Sequence, residues 1–135
     1  MAVVFIVFLI VLSGVKTNNF SLLDYFSGDY TVYTSQDNDK NSLNLGFCYM
    51  NSKPSVSNVV GESIVIENLE IDSALKSLNA RVVKTEYLED GTTVIYAYSS
   101  LIDEKVEVFE NYVNLQIATR KERSVIGWPL ILGSY

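Results

Sequence analysis

The chain has 135 residues, with 10 Lys and Arg against 16 Asp and Glu, a net charge of −6 and a pI near 4.5. That balance argues against nucleic-acid binding, which is normally accompanied by a basic excess. With no histidine and a single cysteine, Cys48, the chain has no Ser-His-Asp or Cys-His catalysis, no intrachain disulfide and no cysteine cluster for a metal.

From Ala2 to Val15 the sequence is an uninterrupted weakly polar-to-apolar run of 14 residues, closed by Lys16. As a helix it would extend about 21 Å, short of the roughly 30 Å of a bilayer core. The length suits the hydrophobic region of a signal peptide or a short anchor, although no Lys or Arg precedes it. The competing expectation is a core element of a cytosolic domain, because β-branched apolar runs also build buried strands. Residues 1–17 are therefore read as a signal peptide or membrane anchor in helical form. Residues 18–29 are read as a connector in which Leu22, Leu23, Tyr25 and Phe26 form a short turn or lid. Residues 30–135 are read as a single domain.

Tyr30 to Thr34 has strand composition. The loop Gln36 to Ser42 follows, where Asp37 and Asp39 imitate the start of a calcium loop whose later glycine and glutamate are missing. Leu43 to Met50 alternates with period two, a strand with Cys48 on the face away from the aromatics. Asn51 to Asn58, with Pro54, is a loop, and Val59 to Glu67 is a strong strand with Gly61 as a bulge candidate. Asn68 then offers a helix cap, and Ile71, Ala74, Leu75 and Leu78 make one apolar stripe. The helix is expected over about Leu69 to Asn79, with Asn79 in the left-handed closing conformation and Ile71, Leu75 and Leu78 against the sheet.

Arg81 to Leu88 and Thr92 to Ser99 flank Glu89-Asp90-Gly91, a hairpin signal. Lys105 to Phe109 and Tyr112 to Arg120 flank Glu110-Asn111, a second one. After a charged turn, Arg120 to Ser124, the stretch Val125 to Tyr135 is expected to pair antiparallel with Asn114 to Arg120, at an edge or kinked at Pro129. Strands, one helix and an antiparallel meander give an α+β fold: a twisted antiparallel sheet with one packed helix, preceded by the apolar N-terminal helix.

Chemistry is sparse. Phosphate-loop, dinucleotide and nucleophile-elbow motifs are absent. Glu86, Glu89, Asp90, Asp103, Glu104, Glu107 and Glu110 supply carboxylates, but nothing places two across one cleft as a glycosidase needs. No catalytic residue, metal ligand or cofactor is assigned. Asn114, Gln116 and Arg120 form a polar stripe able to hold a carboxylate, a glycan or a peptide edge, and the same pattern describes an ordinary solvent face. Tyr96 and Tyr98 share a strand face, where tyrosines contact sugars or partner proteins or simply pack across strands.

Two stretches, NLQIATR at Asn114 to Arg120 and VIGWPLILGSY at Val125 to Tyr135, resemble the C-terminal end of the YwmB-like family of Firmicute bacteria. The resemblance extends over roughly the last 75 residues and leaves the first 60 uncovered. It implies an exported or membrane-tethered protein with a fold like that of the TATA-binding protein, and it brings no catalytic residues. Fold likeness carries no function by itself. The resulting expectation is a non-enzymatic binding or structural domain at the outer face of the cytoplasmic membrane. Its partners would be the membrane, through the N-terminal segment, and an envelope protein or glycan, with no nucleic acid. The alternatives are a carboxylate-dependent envelope hydrolase and a cytosolic domain with residues 2–15 in its core.

Overall fold

The computed structural model describes residues 20–36, 44–49 and 59–131, with backbone alone for 35–36 and 44–49. The expected apolar helix, the Asp37–Asp39 loop, the Pro54 loop and the last four residues lie outside them. So does the side chain of Cys48.

Seven strands form one antiparallel sheet: β1 (Asp29–Gln36), β2 (Asn44–Tyr49), β3 (Val59–Glu67), β4 (Ala80–Tyr87), β5 (Thr93–Ser99), β8 (Leu115–Arg120) and β9 (Arg123–Trp128). Their spatial order is β2-β1-β3-β9-β8-β5-β4. A separate hairpin pairs β6 (Val106–Val108) with β7 (Asn111–Val113). Between β3 and β4 a single helix, α1 (Ile71–Ser77), carries the chain across the sheet to the far edge. The α+β expectation of an antiparallel sheet with one helix holds at this level.

The side-chain alternation of the strands explains the layering. Ile64, Ile95, Ala97, Leu115, Ile117, Ile126 and Trp128 fall on one face and form the main core with Leu22, Leu78 and Ile102. Alternate positions, among them Val65, Val94, Ala118 and Val125, fall on the other. On the first face α1 buries Ala74 and Leu78 completely, while Ile71 and Leu75 are partly covered. The helix is shorter than its apolar stripe suggests. Asn68 adopts φ 56, so it belongs to a turn, and Glu70 occupies the cap position without a side-chain bond. Asn79 does close the helix with φ 50.

The opposite face is covered by the β6–β7 hairpin and by the residues after Pro129. Val106, Val108 and Val113 meet Leu130, Val83 and Tyr96 in a second cluster. Ile131 joins Val94, Ala118 and Val125 in a third. The chain turns back so tightly at this point that a Cβ on Gly127 would stand 3.0 Å from the Ile131 backbone. The segment 112–120, expected as one strand, is thus two. Val113 ends the hairpin, Leu115 begins β8, and Asn114 joins the two sheets. The hairpin turn falls on Phe109 and Glu110, with φ 54 and 63, one residue before the expected place. Two positive φ values at adjacent centres match the handedness that closes a two-residue hairpin.

Strand β9 lies between β3 and β8 and leaves the sheet at Pro129. Of the edge and kink expectations, the kink is the one found, since a central strand cannot lose a ladder donor. Residues expected to be a connector join the domain from Phe20 onward. Leu22–Asp24 form one 3-10 turn, Leu22 is fully buried, and Phe20, Leu23 and Phe26 pack on the core. Gly28 then crosses β3 so closely that a Cβ would meet the Val65 carbonyl at 2.2 Å.

Candidate functional site: a latched entry and a basic groove

Two polar constellations stand out, one in the middle of β3 and one at its C-terminal end. The first centres on Glu62, which alternation puts on the core face between Val32 of β1 and Trp128 of β9. The residue is 2% exposed. Oε1 accepts from the Leu22 backbone N–H at 2.9 Å and from Trp128 Nε1 at 2.6 Å. Oε2 accepts from Ser21 Oγ at 2.7 Å and from the Tyr30 hydroxyl. An ionised carboxylate offers about four lone-pair sites, and here each oxygen meets two donors. Desolvation of a charge is offset only when its hydrogen bonds are this complete.

Three chain segments meet at Glu62, and one is the segment entering the fold. Ser21 also caps the 3-10 turn through the Leu23 N–H, 3.3 Å away. The ring of Phe20 contacts Trp128 edge-on, with centroids 6.1 Å apart. The arrangement is a latch. It ties the segments bearing Ser21, Leu22, Tyr30 and Trp128 to β3.

Sequence reading missed Glu62, although the signal was there. In Glu62-Ser63-Ile64-Val65-Ile66 the glutamate shares a face with two isoleucines, and a carboxylate on an apolar face needs partners.

The expected stripe separates into structure and surface. Asn114 is fully buried: Oδ1 accepts from the Ser99 N–H at 2.7 Å, and Nδ2 donates to the carbonyls of Ser99 at 2.9 Å and Ile102 at 3.0 Å. Gln116 is also buried, its Oε1 accepting the Ile131 N–H at 2.8 Å. These amides satisfy backbone groups at the points where strands change sheet or leave it. Tyr96 is half-buried against the hairpin, its ring edge-to-face with Phe109 at 5.1 Å. Tyr98 is half-buried with the Arg81 guanidinium 5.5 Å from its centroid. The expected Tyr96–Tyr98 face is therefore partly roofed. Arg120 alone reaches open surface, its side chain 56% exposed.

Arg120 belongs to the second constellation. At the β8–β9 turn a groove of about 810 Å³ is lined by Thr92, Thr119, Ala118 and Val125, with Arg120, Lys121 and Arg123 along it and Glu67 and Glu122 beside them. In the strand register Arg120 stands directly opposite Arg123. Asp90 approaches Arg120 at 3.8 Å. Its carboxyl lies below the usual carboxylate range, held there first by the Thr92 backbone N–H, then by the Thr92 hydroxyl and, less strongly, by the Arg120 charge. Lys121 and Arg123 make no ion pair among the described residues.

No helix among the described residues is long and apolar enough to cross a membrane, and residues 1–19 lie outside them. Comparison with family models, with curated proteins and with solved structures finds no match to this chain.

Proposed function

We propose that the chain is a non-enzymatic binding or structural domain held at the outer face of a bacterial membrane by its N-terminal segment. The observation that carries this reading is the Glu62 latch. Only Lys16 to Asn19 separate the apolar run from Phe20, the first described residue. Ser21 and Leu22 are then gripped by a buried carboxylate. A domain joined to its anchor by so short a stretch transmits any pull directly into residues 20–22, and a charge-assisted attachment there resists it. The resemblance of the last 75 residues to the YwmB-like family supports the same reading and a bacterial setting.

The test is fractionation of cells making the full chain or a version lacking residues 2–15, with external protease added to intact cells whose wall has been removed. The reading expects the full chain in the membrane fraction and open to protease. It expects the shortened chain to be soluble, cooperatively folded and retained inside. An unfolded shortened chain would make residues 2–15 part of the core. A full chain in the soluble cytosolic fraction would remove the anchor.

A further inference from the structure

The β8–β9 turn breaks a rule that the rest of the sheet respects. Like charges directly opposite on neighbouring strands destabilise a sheet, yet Arg120 faces Arg123 with Lys121 between them in the turn. Three of the chain's 10 cations thus fall within four residues of an acidic protein. Compensation is slight. The Asp90–Arg120 approach is long, at 3.8 Å, with both side chains more than half exposed. Asp90 is already engaged with Thr92. Glu67 neighbours Arg123 in the register without forming an ion pair with it among the described residues. Violations of local rules concentrate where function requires them.

The cations border a cavity rather than a flat surface. Its volume, about 810 Å³, lies in the range of small-molecule sites. Ala118 and Val125 give it an apolar patch, and Thr92 lines it at the β5 side. The carboxylates of Glu67 and Glu122 make the site a poor one for a polyanion and a good acceptor for hydroxyl groups.

We propose that this groove binds a small phosphorylated sugar, with the phosphate at Arg120, Lys121 and Arg123 and the sugar hydroxyls at Glu67 and Glu122. A phosphate dianion between two guanidinium groups relieves their repulsion and forms charge-assisted bonds. The inference rests on the binding-domain reading and is independent of the anchor. The groove lies about 17 Å from Glu62, five residues along β3.

Calorimetry on the full chain in detergent tests it, with glucose 6-phosphate, inorganic phosphate and glucose as probes. Glucose 6-phosphate is expected to bind saturably, inorganic phosphate more weakly and glucose not measurably. Arg123→Ala should weaken glucose 6-phosphate binding by about tenfold, the scale of one lost charged hydrogen bond. Lys105→Ala, on the β6–β7 hairpin, should leave it unchanged. Glu67→Gln separates the two halves of the site: it should tighten inorganic phosphate by removing a repelling charge and weaken the sugar phosphate by removing a strong acceptor. Absence of saturable binding overturns the proposal, as does wild-type affinity in an Arg120→Ala, Arg123→Ala double variant. Equal affinity for inorganic phosphate and glucose 6-phosphate overturns the sugar assignment. Fractionation of the same chain reports on the anchor separately.

Discussion

The middle and the C-terminal end of β3 treat charge in opposite ways. At Glu62 one anion is withdrawn from water and given four donors from three segments. Five residues on, beside Glu67, three cations sit at the surface, and the one ion pair they make among the described residues is the 3.8 Å approach of Arg120 to Asp90. A buried charge with complete partners is committed to the fold, because losing any partner leaves an uncompensated ion. A surface cation with no partner leaves the fold nearly indifferent to its loss and keeps its bonding capacity for something else. Stability experiments and binding experiments should therefore sort the two regions cleanly.

The largest effect belongs to Glu62. Glu62→Ala strands four donors and opens a cavity, and about 3–5 kcal/mol should be lost in urea denaturation, the scale of several buried donors left without an acceptor. Glu62→Gln should rescue little, since its amide nitrogen faces two donors. A loss under about 1 kcal/mol would mean that water enters the latch and the entry segment is loosely held.

Next comes Asn114, whose three bonds go to backbone groups of Ser99 and Ile102 in the junction between the sheets. Asn114→Ala should lower stability by about 2–3 kcal/mol. A matching loss from Leu78→Ala, about 2–5 kcal/mol, should exceed that from Leu75→Ala, because only Leu78 is fully buried. Equal losses would put the helix in a different rotation about its axis.

Asn114 also shows what the sequence made legible and what it hid. Alternation correctly put Leu115 and Ile117 toward the main core and Gln116 on the other face. It does not report whether a second layer covers that other face. The cover comes from the β6–β7 hairpin and Ile131, and depends on the chain folding back after Pro129. Strand β3 was legible to the residue, from its β-branched run between turns. The Asp90-Gly91 hairpin was too, with Gly91 at φ 91. Phe20 to Phe26 was read as a connector because its order depends on a glutamate 40 residues away, which no local pattern contains. Of the candidate site, Arg120 was picked out through its strand. Arg123 and Lys121 were read only as a charged turn, since the opposition of two arginines exists only once the register is known.

At the basic end the expected stability change is small and of the opposite sign. Arg123→Thr removes the like-charge pair and gives an exposed strand position a β-branched residue. It should raise stability by a few tenths of a kcal/mol, roughly 0.2–1, at low salt, and the gain should shrink at high salt. A loss of stability instead would make Arg123 a structural partner of Glu67.

The smallest expected effect is the acid behaviour of Asp90, which lies in the β4–β5 turn and approaches Arg120. Its carboxyl titrates below the usual carboxylate range, chiefly because the Thr92 N–H donates to it, with Arg120 a minor contributor. The folded state therefore holds fewer protons on this group than the unfolded state does. The stabilisation is complete above 3.8 and disappears as pH falls through the lower folded value. Asp90→Asn keeps an oxygen able to accept the Thr92 N–H but abolishes this titration. In denaturation series between pH 2 and pH 6, the variant should lose stability less steeply than wild type at the acid end, and the two should run parallel above pH 5. Arg120→Ala should shift the acid limb only slightly, because the backbone donor dominates. If Arg120→Ala flattened the limb as fully as Asp90→Asn, the arginine would be the principal partner of Asp90. The basic end would then be internally neutralised like Glu62, and the contrast between the middle of β3 and its C-terminal end would be lost.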